Sequence, residues 1–185
     1  MWKLRIELRS GWVLTYLCEM FDLVHCGIAE VEMLVKNLMT KSVTCCKPGD
    51  TLDVAAERLW RSDCGALPVC ASGDSRTVVG MVTDRDICMH SHFNHRPLNE
   101  LMVEGAMSHG VKTCKLSDDV HLAEQIMRSG SIRRLPVVDD SGTLAGIVSL
   151  ADIAREAAKQ GHSEIPEITE TEVASTLSAI CSPRA

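Results

Sequence analysis

The sequence predicts an α/β fold made of two β-α-β-β-α repeats packed as a pseudo-twofold pair. Three observations predict it. Residues 35–70 align without a gap onto 103–138, and ten of the 36 positions are identical: Val35, Met39, Val43, Cys46, Lys47, Asp50, Ala55, Leu67, Pro68 and Val69 each recur 68 residues later. Unrelated stretches of ordinary composition share roughly two. Each copy also closes alike, Gly80-Met81-Val82-Thr83-Asp84-Arg85-Asp86-Ile87 against Gly146-Ile147-Val148-Ser149-Leu150-Ala151-Asp152-Ile153, at an offset of 66. Finally, one copy of short elements buries too little apolar surface to be secure alone, so two are expected to pack sheet to sheet around one shared core. A repeat at a fixed period sets the architecture before any local signal does.

The expected organisation is an N-terminal extension over 1–32, copy one over 33–95, copy two over 96–160 and an acidic tail over 161–185. In the extension, Leu14, Leu17, Cys18, Phe21, His25 and Ile28 form a helical stripe. Met33 resembles a natural start, which would make 1–32 an upstream extension. In copy one, Val43-Thr44-Cys45 reads as a short strand and Pro48-Gly49-Asp50-Thr51 as a turn into a helix. Asp50 or Thr51 can cap that helix, and Leu52, Ala55, Ala56 and Leu59 form its buried stripe. Leu67-Pro68-Val69 and Val78–Val82 are the next strands, with Pro68 suited to a strand start or an edge. Thr83 opens the second helix, with Asp86 at the capping-box position. Copy two repeats the pattern: strand Val111-Lys112-Thr113, a helix from Ser117 through Met127, strands Leu135–Val138 and Leu144–Val148, and a helix from Ser149 that Gly161 can end. Pro166 could start a last helix.

Composition excludes several functions. The net charge of −6 argues against nucleic acid, whose phosphates need Lys and Arg. No run approaches the ~20 apolar residues of a membrane span, and the apolar stretch Trp12–Cys18 lacks a convincing signal-peptide cleavage site. The nine cysteines are odd in number and scattered, without a Cys-x-x-Cys pair, which fits neither a zinc framework nor a disulfide scaffold. Several sit where small apolar residues would serve and read as small hydrophobes, in a reducing cytoplasm. No catalytic constellation and no Gly-rich phosphate loop is present, so an enzyme is not expected. His90, His92 and His95 fall in the segment between copies and read as a solvated loop, with no metal site expected.

Two constellations remain. Thr83 with Asp86, and Ser149 with Asp152, each place a hydroxyl and a carboxylate at a helix start. Such a carboxylate can accept hydrogen bonds from vicinal hydroxyls, and the helix N-terminus favours an anion, a combination suited to ribose and phosphate. Ordinary capping explains one such pair equally well; its recurrence in both copies favours the site. Arg133-Arg134 precede an apolar strand where copy one has Gly65-Ala66. Paired guanidinium groups match phosphate; the alternatives are a solvated edge or ion pairs to Asp139, Asp140 or a tail glutamate. Arg85 points the same way more weakly.

Taken in order and twice over, Met39-Thr40 and Met107-Ser108, Leu-Pro-Val, and Gly-x-x-[Thr/Ser]-x-x-Asp resemble a tandem cystathionine-β-synthase (CBS) domain pair, or Bateman module. The resemblance spans 34–159 and is nearest to stand-alone bacterial two-CBS signalling proteins. It implies a non-catalytic regulatory module that needs no cofactor and binds AMP, ADP, ATP, or an NAD-type or S-adenosyl ligand in clefts between the copies. Thr83, Asp86, Ser149 and Asp152 match its ribose and phosphate positions. Val43, Gly65, Ala66, Met81, Val111 and Ile147 match the walls of its adenine slot. Arg133 and Arg134 match the phosphate-contacting pair of the γ subunit of AMP-activated protein kinase. With Gly65-Ala66 opposite them, one stronger and one weaker or empty site is expected. The resemblance further implies a homodimer acting on a protein partner, without nucleic acid or membrane. The alternative is a nucleotide-independent scaffold of the same fold.

Overall fold

In the computed structural model, residues 33–73, 76–161 and 166–182 are described. The chain divides into two units, Met1–Val31 and Glu32–Ala185, and the helix expected within 1–32 lies outside the described residues. Copy one comprises α1 (Val35–Leu38), α2 (Leu52–Arg61), β1 (Ala66–Cys70), β2 (Val78–Thr83) and α3 (Asp84–Asn94). Copy two comprises α4 (Val103–Ala106), β3 (Cys114–Lys115), α5 (Val120–Gly130), β4 (Arg134–Val138), β5 (Leu144–Ser149) and α6 (Leu150–Gln160), and α7 (Glu170–Cys181) follows.

Each sheet centres on an antiparallel pair in the same register. Ala66 faces Thr83 and Pro68 faces Met81 between β1 and β2; Arg134 faces Ser149 and Pro136 faces Ile147 between β4 and β5. Pro68 sits in mid-strand, not at the start. Its carbonyl accepts from Cys46 N at 3.0 Å, so its nitrogen also faces away from β2 and the missing N–H costs the β1–β2 ladder nothing. Beyond β1, copy one has among the described residues a single parallel bridge, Cys46 to Val69.

The expected strand Val43–Cys45 is therefore absent, and its counterpart β3 lies at Cys114–Lys115 instead of Val111–Thr113. In copy one, side chains take the carbonyls that a strand would have paired: Arg76 donates to Val43 O at 2.8 Å and Arg58 to Cys45 O at 3.1 Å. Three helix boundaries and one cap also differ. Thr51 stands at the start of α2, but its hydroxyl turns to Asp53. Asp119, not Ser117, precedes α5, because Asp118 accepts from Lys115 N at 2.7 Å and prolongs the turn. α3 continues to Asn94, so His90 and His92 are helical. α7 starts after Thr169, where a Thr169–Glu172 capping box outweighs Pro166. Gly161 follows α6 at φ −57, a right-handed conformation that needs no glycine.

Two hydrophobic clusters replace the single shared core expected. One gathers Leu52, Ala55, Leu59, Leu67, Val69, Val82 and Ile87, the other Val120, Ala123, Met127, Leu135, Val137, Val148 and Ile153. The copies exchange their leading segments. Val35, from the start of copy one, is fully buried in the second cluster, and Val103, from the start of copy two, is fully buried in the first. The backbone follows: Thr40 pairs with Ile147 on β5, and Ser108 pairs with Met81 on β2. Gly146 and Gly80 make room for this crossing. A Cβ at Gly146 would lie 2.7 Å from both Met39 Sδ and Thr40 O, and one at Gly80 would lie 2.6 Å from Met107 Sδ. The Met-Thr/Ser and Gly-x-x-[Thr/Ser] elements of the sequence are thus two sides of one contact.

Candidate functional site

The exchange forms two equivalent clefts, each lined by both copies. Cleft A, about 550 Å³, is lined by Thr40, Val43, Asp63, Gly65 and Ala66 from copy one and by Arg134, Ile147, Ser149 and Asp152 from copy two. Cleft B, about 400 Å³, is lined by Met81 and Thr83 from copy one and by Ser108, His109, Val111, Lys112, Arg133 and Arg134 from copy two. The structure therefore joins Gly65-Ala66 to Ser149 and Asp152, and Arg133-Arg134 to Thr83. Arg134 lines both clefts.

Both hydroxyl–carboxylate pairs form capping boxes. Asp86 Oδ2 accepts from Thr83 N at 2.9 Å and from Thr83 Oγ1 at 2.7 Å, while Asp86 N donates to Thr83 Oγ1 at 3.2 Å. Ser149 and Asp152 repeat this at 2.8, 2.6 and 3.2 Å. The capping alternative is thus realised, but it occupies one carboxylate oxygen. The second oxygens differ: Asp152 Oδ1 is bonded by Arg155, whereas Asp86 Oδ1 has no hydrogen bond among the described residues. Asp86 is not among the residues lining cleft B; it stands behind Thr83. A third box, Thr169–Glu172, lines neither cleft, so the box alone marks no site.

The alternative ion pairs for Arg133 and Arg134 do not form among the described residues. Asp140 pairs with Lys115 at 3.1 Å, and Asp139 holds the turn through Ser141 and Thr143. Those bonds keep the Asp139 carboxyl below its usual range. Arg85 is exposed on α3 and lines neither cleft. Asp63, Lys112 and His109 escaped sequence reading. The signal lay in the differences between copies, since Asp63 answers to Ser131 and Lys112 to Thr44, whereas repeat alignment rewards sameness.

The buried cysteines supply no thiolate. Burial pushes the Cys70 and Cys114 thiols up to about 12, and raises that of Cys46. Among the described residues no three His, Cys, Asp or Glu side chains converge as a metal site, and no helix is long and apolar enough to cross a membrane.

Two repeats that exchange leading segments and build a cleft from each exchange define a paired-repeat module. The family is the CBS domain: its model matches residues 35–92 and 103–159, and the chain belongs to that family as a tandem pair. It is 37% identical over 124 residues to the CBS domain-containing protein YhcV of Bacillus subtilis, covering 65% of this chain and 82% of that protein. Hypoxic response protein 1 of Mycobacterium tuberculosis is 30% identical over 150 residues, 81% of this chain and 95% of the relative. A crystal structure of Hypoxic Response Protein I with two coordinated zinc ions aligns with a TM-score of 0.60 at 31% identity, over 66% of this chain and 98% of that one. The crystal structure of CBSX2 in complex with AMP aligns with a TM-score of 0.60 at 27% identity, over 70% and 98% of the two chains.

Proposed function

We propose that the chain is a non-catalytic regulatory module that binds an adenosine nucleotide between its CBS repeats, foremost in cleft B. The observation that carries this reading is the company of Arg133 and Arg134. Two guanidinium groups without ion-pair partners among the described residues share a cleft with Lys112 and with the start of α3. Forked guanidinium groups and a helix N-terminus both favour phosphate. Met81 and Val111 give the same cleft apolar walls for a base. Behind Thr83 the carboxylate of Asp86 keeps one oxygen without a hydrogen bond among the described residues, an acceptor for a ribose hydroxyl that reaches past Thr83. The complex of CBSX2 with AMP supports the ligand class.

In this reading AMP, ADP or ATP needs no further cofactor. Binding bridges elements of both copies, so it favours one arrangement of the pair over another and changes conformation or assembly in a way that a protein partner senses. A cytoplasmic homodimer is the expected form. A thermal-shift assay with adenosine, AMP, ADP and ATP tests the reading. Nucleotide should raise the melting temperature, and Asp86→Ala together with Asp152→Ala should abolish that rise. A wild-type protein indifferent to all four ligands would support a nucleotide-independent scaffold instead.

A further inference from the structure

Cleft A is a near-copy of cleft B with its charge reversed. Where cleft B has Lys112, Arg133 and Arg134, the matching positions around cleft A are Thr44, Gly65 and Ala66, and cleft A adds Asp63, whose counterpart Ser131 is uncharged. Gly65 leaves open the space that Arg133 fills in copy two, and a carboxylate closes on it: a Cβ there would lie 3.3 Å from Asp84 Oδ2. The residue matching Asp84 in copy two is Leu150, which is buried and uncharged. Asp63 completes the rim in a left-handed conformation, φ 47, at the end of α2. Among the residues lining cleft A the cation is Arg134, whose terminal nitrogen lies 3.8 Å from the same Gly65 Cβ position. Arg134 also lines cleft B, so a phosphate there draws on that same guanidinium group. A second phosphate in cleft A would then face Asp63 and Asp152 with no further cation among the lining residues, since Arg155 beside them is engaged by Asp152.

We infer that cleft A selects a nucleoside that carries no phosphate, neutral or cationic at its 5′ side, with Asp63 as the residue that sets the choice. The inference rests on the adenosine reading of the clefts and deepens it: the two clefts take different members of one ligand class. Apolar walls and a hydroxyl at a helix start line both clefts, with Asp152 lining cleft A and Asp86 behind Thr83 at cleft B; the 5′ surroundings differ. Like charges facing each other across a partly open cleft weaken binding, and salt screens the effect.

The test is calorimetry on the whole chain at low ionic strength, with cleft B first saturated by AMP. Adenosine and S-adenosyl-L-methionine are then titrated separately against further AMP. Both should bind about tenfold or more tightly than the second AMP. Asp63→Asn, which keeps a residue tolerant of the left-handed backbone, should narrow that preference, and Asp63→Lys with Gly65→Arg should reverse it. Equal affinity of the second cleft for AMP and adenosine, a preference unmoved by both variants, or no binding at all to the second cleft would overturn the inference while leaving AMP in cleft B intact. Absence of the first AMP site would instead overturn the nucleotide reading beneath it.

Discussion

Cleft A and cleft B share a backbone plan and differ in what four or five side chains put into it. Both are closed by a Thr or Ser at a helix start, and both have Met or Ile on the facing strand. Cleft B gathers Lys112, Arg133 and Arg134, whereas cleft A gathers Asp63 and Asp152 around a shared Arg134. Duplication thus preserved the parts that hold the pair together and let the parts that would meet a phosphate diverge. The Gly–Met crossing is a packing requirement in both copies, since a Cβ at either glycine would collide with a methionine sulfur. The 5′ surroundings are freer of that constraint, because Asp63, Gly65, Lys112, Arg133 and Arg134 are exposed or half-buried.

The largest effect expected is from making cleft B resemble cleft A. Arg133→Gly with Arg134→Ala removes two charge-assisted phosphate contacts, each worth about 1.5–3 kcal/mol. AMP affinity by calorimetry should fall by roughly 10² or more, with the fold retained by circular dichroism. An affinity within a factor of three of wild type would remove the basis for calling cleft B the phosphate site.

Next come the crossings. Gly146→Ala and Gly80→Ala should destabilise by about 1–3 kcal/mol each in urea denaturation, as overpacking does. Gly146→Ala should cost more. Its Cβ meets the Thr40 carbonyl at 2.7 Å, whereas at Gly80 the nearest contact is a methionine sulfur that can swing aside, with Ser108 O at 3.1 Å. Equal losses would mean that the two crossings are mechanically alike.

Capping separates structure from binding. Thr169→Ala breaks a box outside both clefts and should cost about 1 kcal/mol with AMP affinity unchanged. Asp86→Ala should cost a similar amount of stability and also weaken AMP. If the two variants affect AMP alike, the Thr83–Asp86 pair is merely a cap.

The smallest effect concerns α7, which packs on α5 and α6 of copy two. Glu124 on α5 is fully buried; Thr176 Oγ1 donates to it at 3.1 Å, and His121 and Arg128 stand 3.8 and 3.9 Å from its other oxygen. Burial raises its carboxyl above the usual range, more than those neighbours lower it. The folded state therefore holds this proton more tightly, so the Glu124 contribution favours folding as pH falls and disfavours it as pH rises through the raised value. Glu124→Gln should melt higher than wild type near neutral pH, with the gap closing toward acid. Glu172, held low by the Thr169 backbone and hydroxyl, has the opposite slope, but it is present in both proteins and cancels in the comparison. A gap that widens toward acid would contradict the sign.

Much of this plan was legible in the sequence because both copies state it. The helix starts at Thr83 and Ser149 and the two central hairpins follow from periodicity and capping signals that recur. The crossing was not legible: a single bridge between Thr40 and Ile147 leaves no periodic trace, and nothing local says that Val35 is buried in the other copy's cluster. The short strand was misplaced for a related reason, since the arginines that occupy the Val43 and Cys45 carbonyls lie 33 and 13 residues away. In the site, Arg133-Arg134 stood out as a doubled charge, while Asp63 and Lys112 looked like ordinary surface residues until the fold set each at a cleft.

The central claim is that two similar clefts bind unequally because their charges differ. Titration of AMP into the wild-type chain by isothermal calorimetry tests it most directly. The account predicts one strong site per chain, followed by a second at least tenfold weaker or absent. Two sites of equal affinity would contradict it.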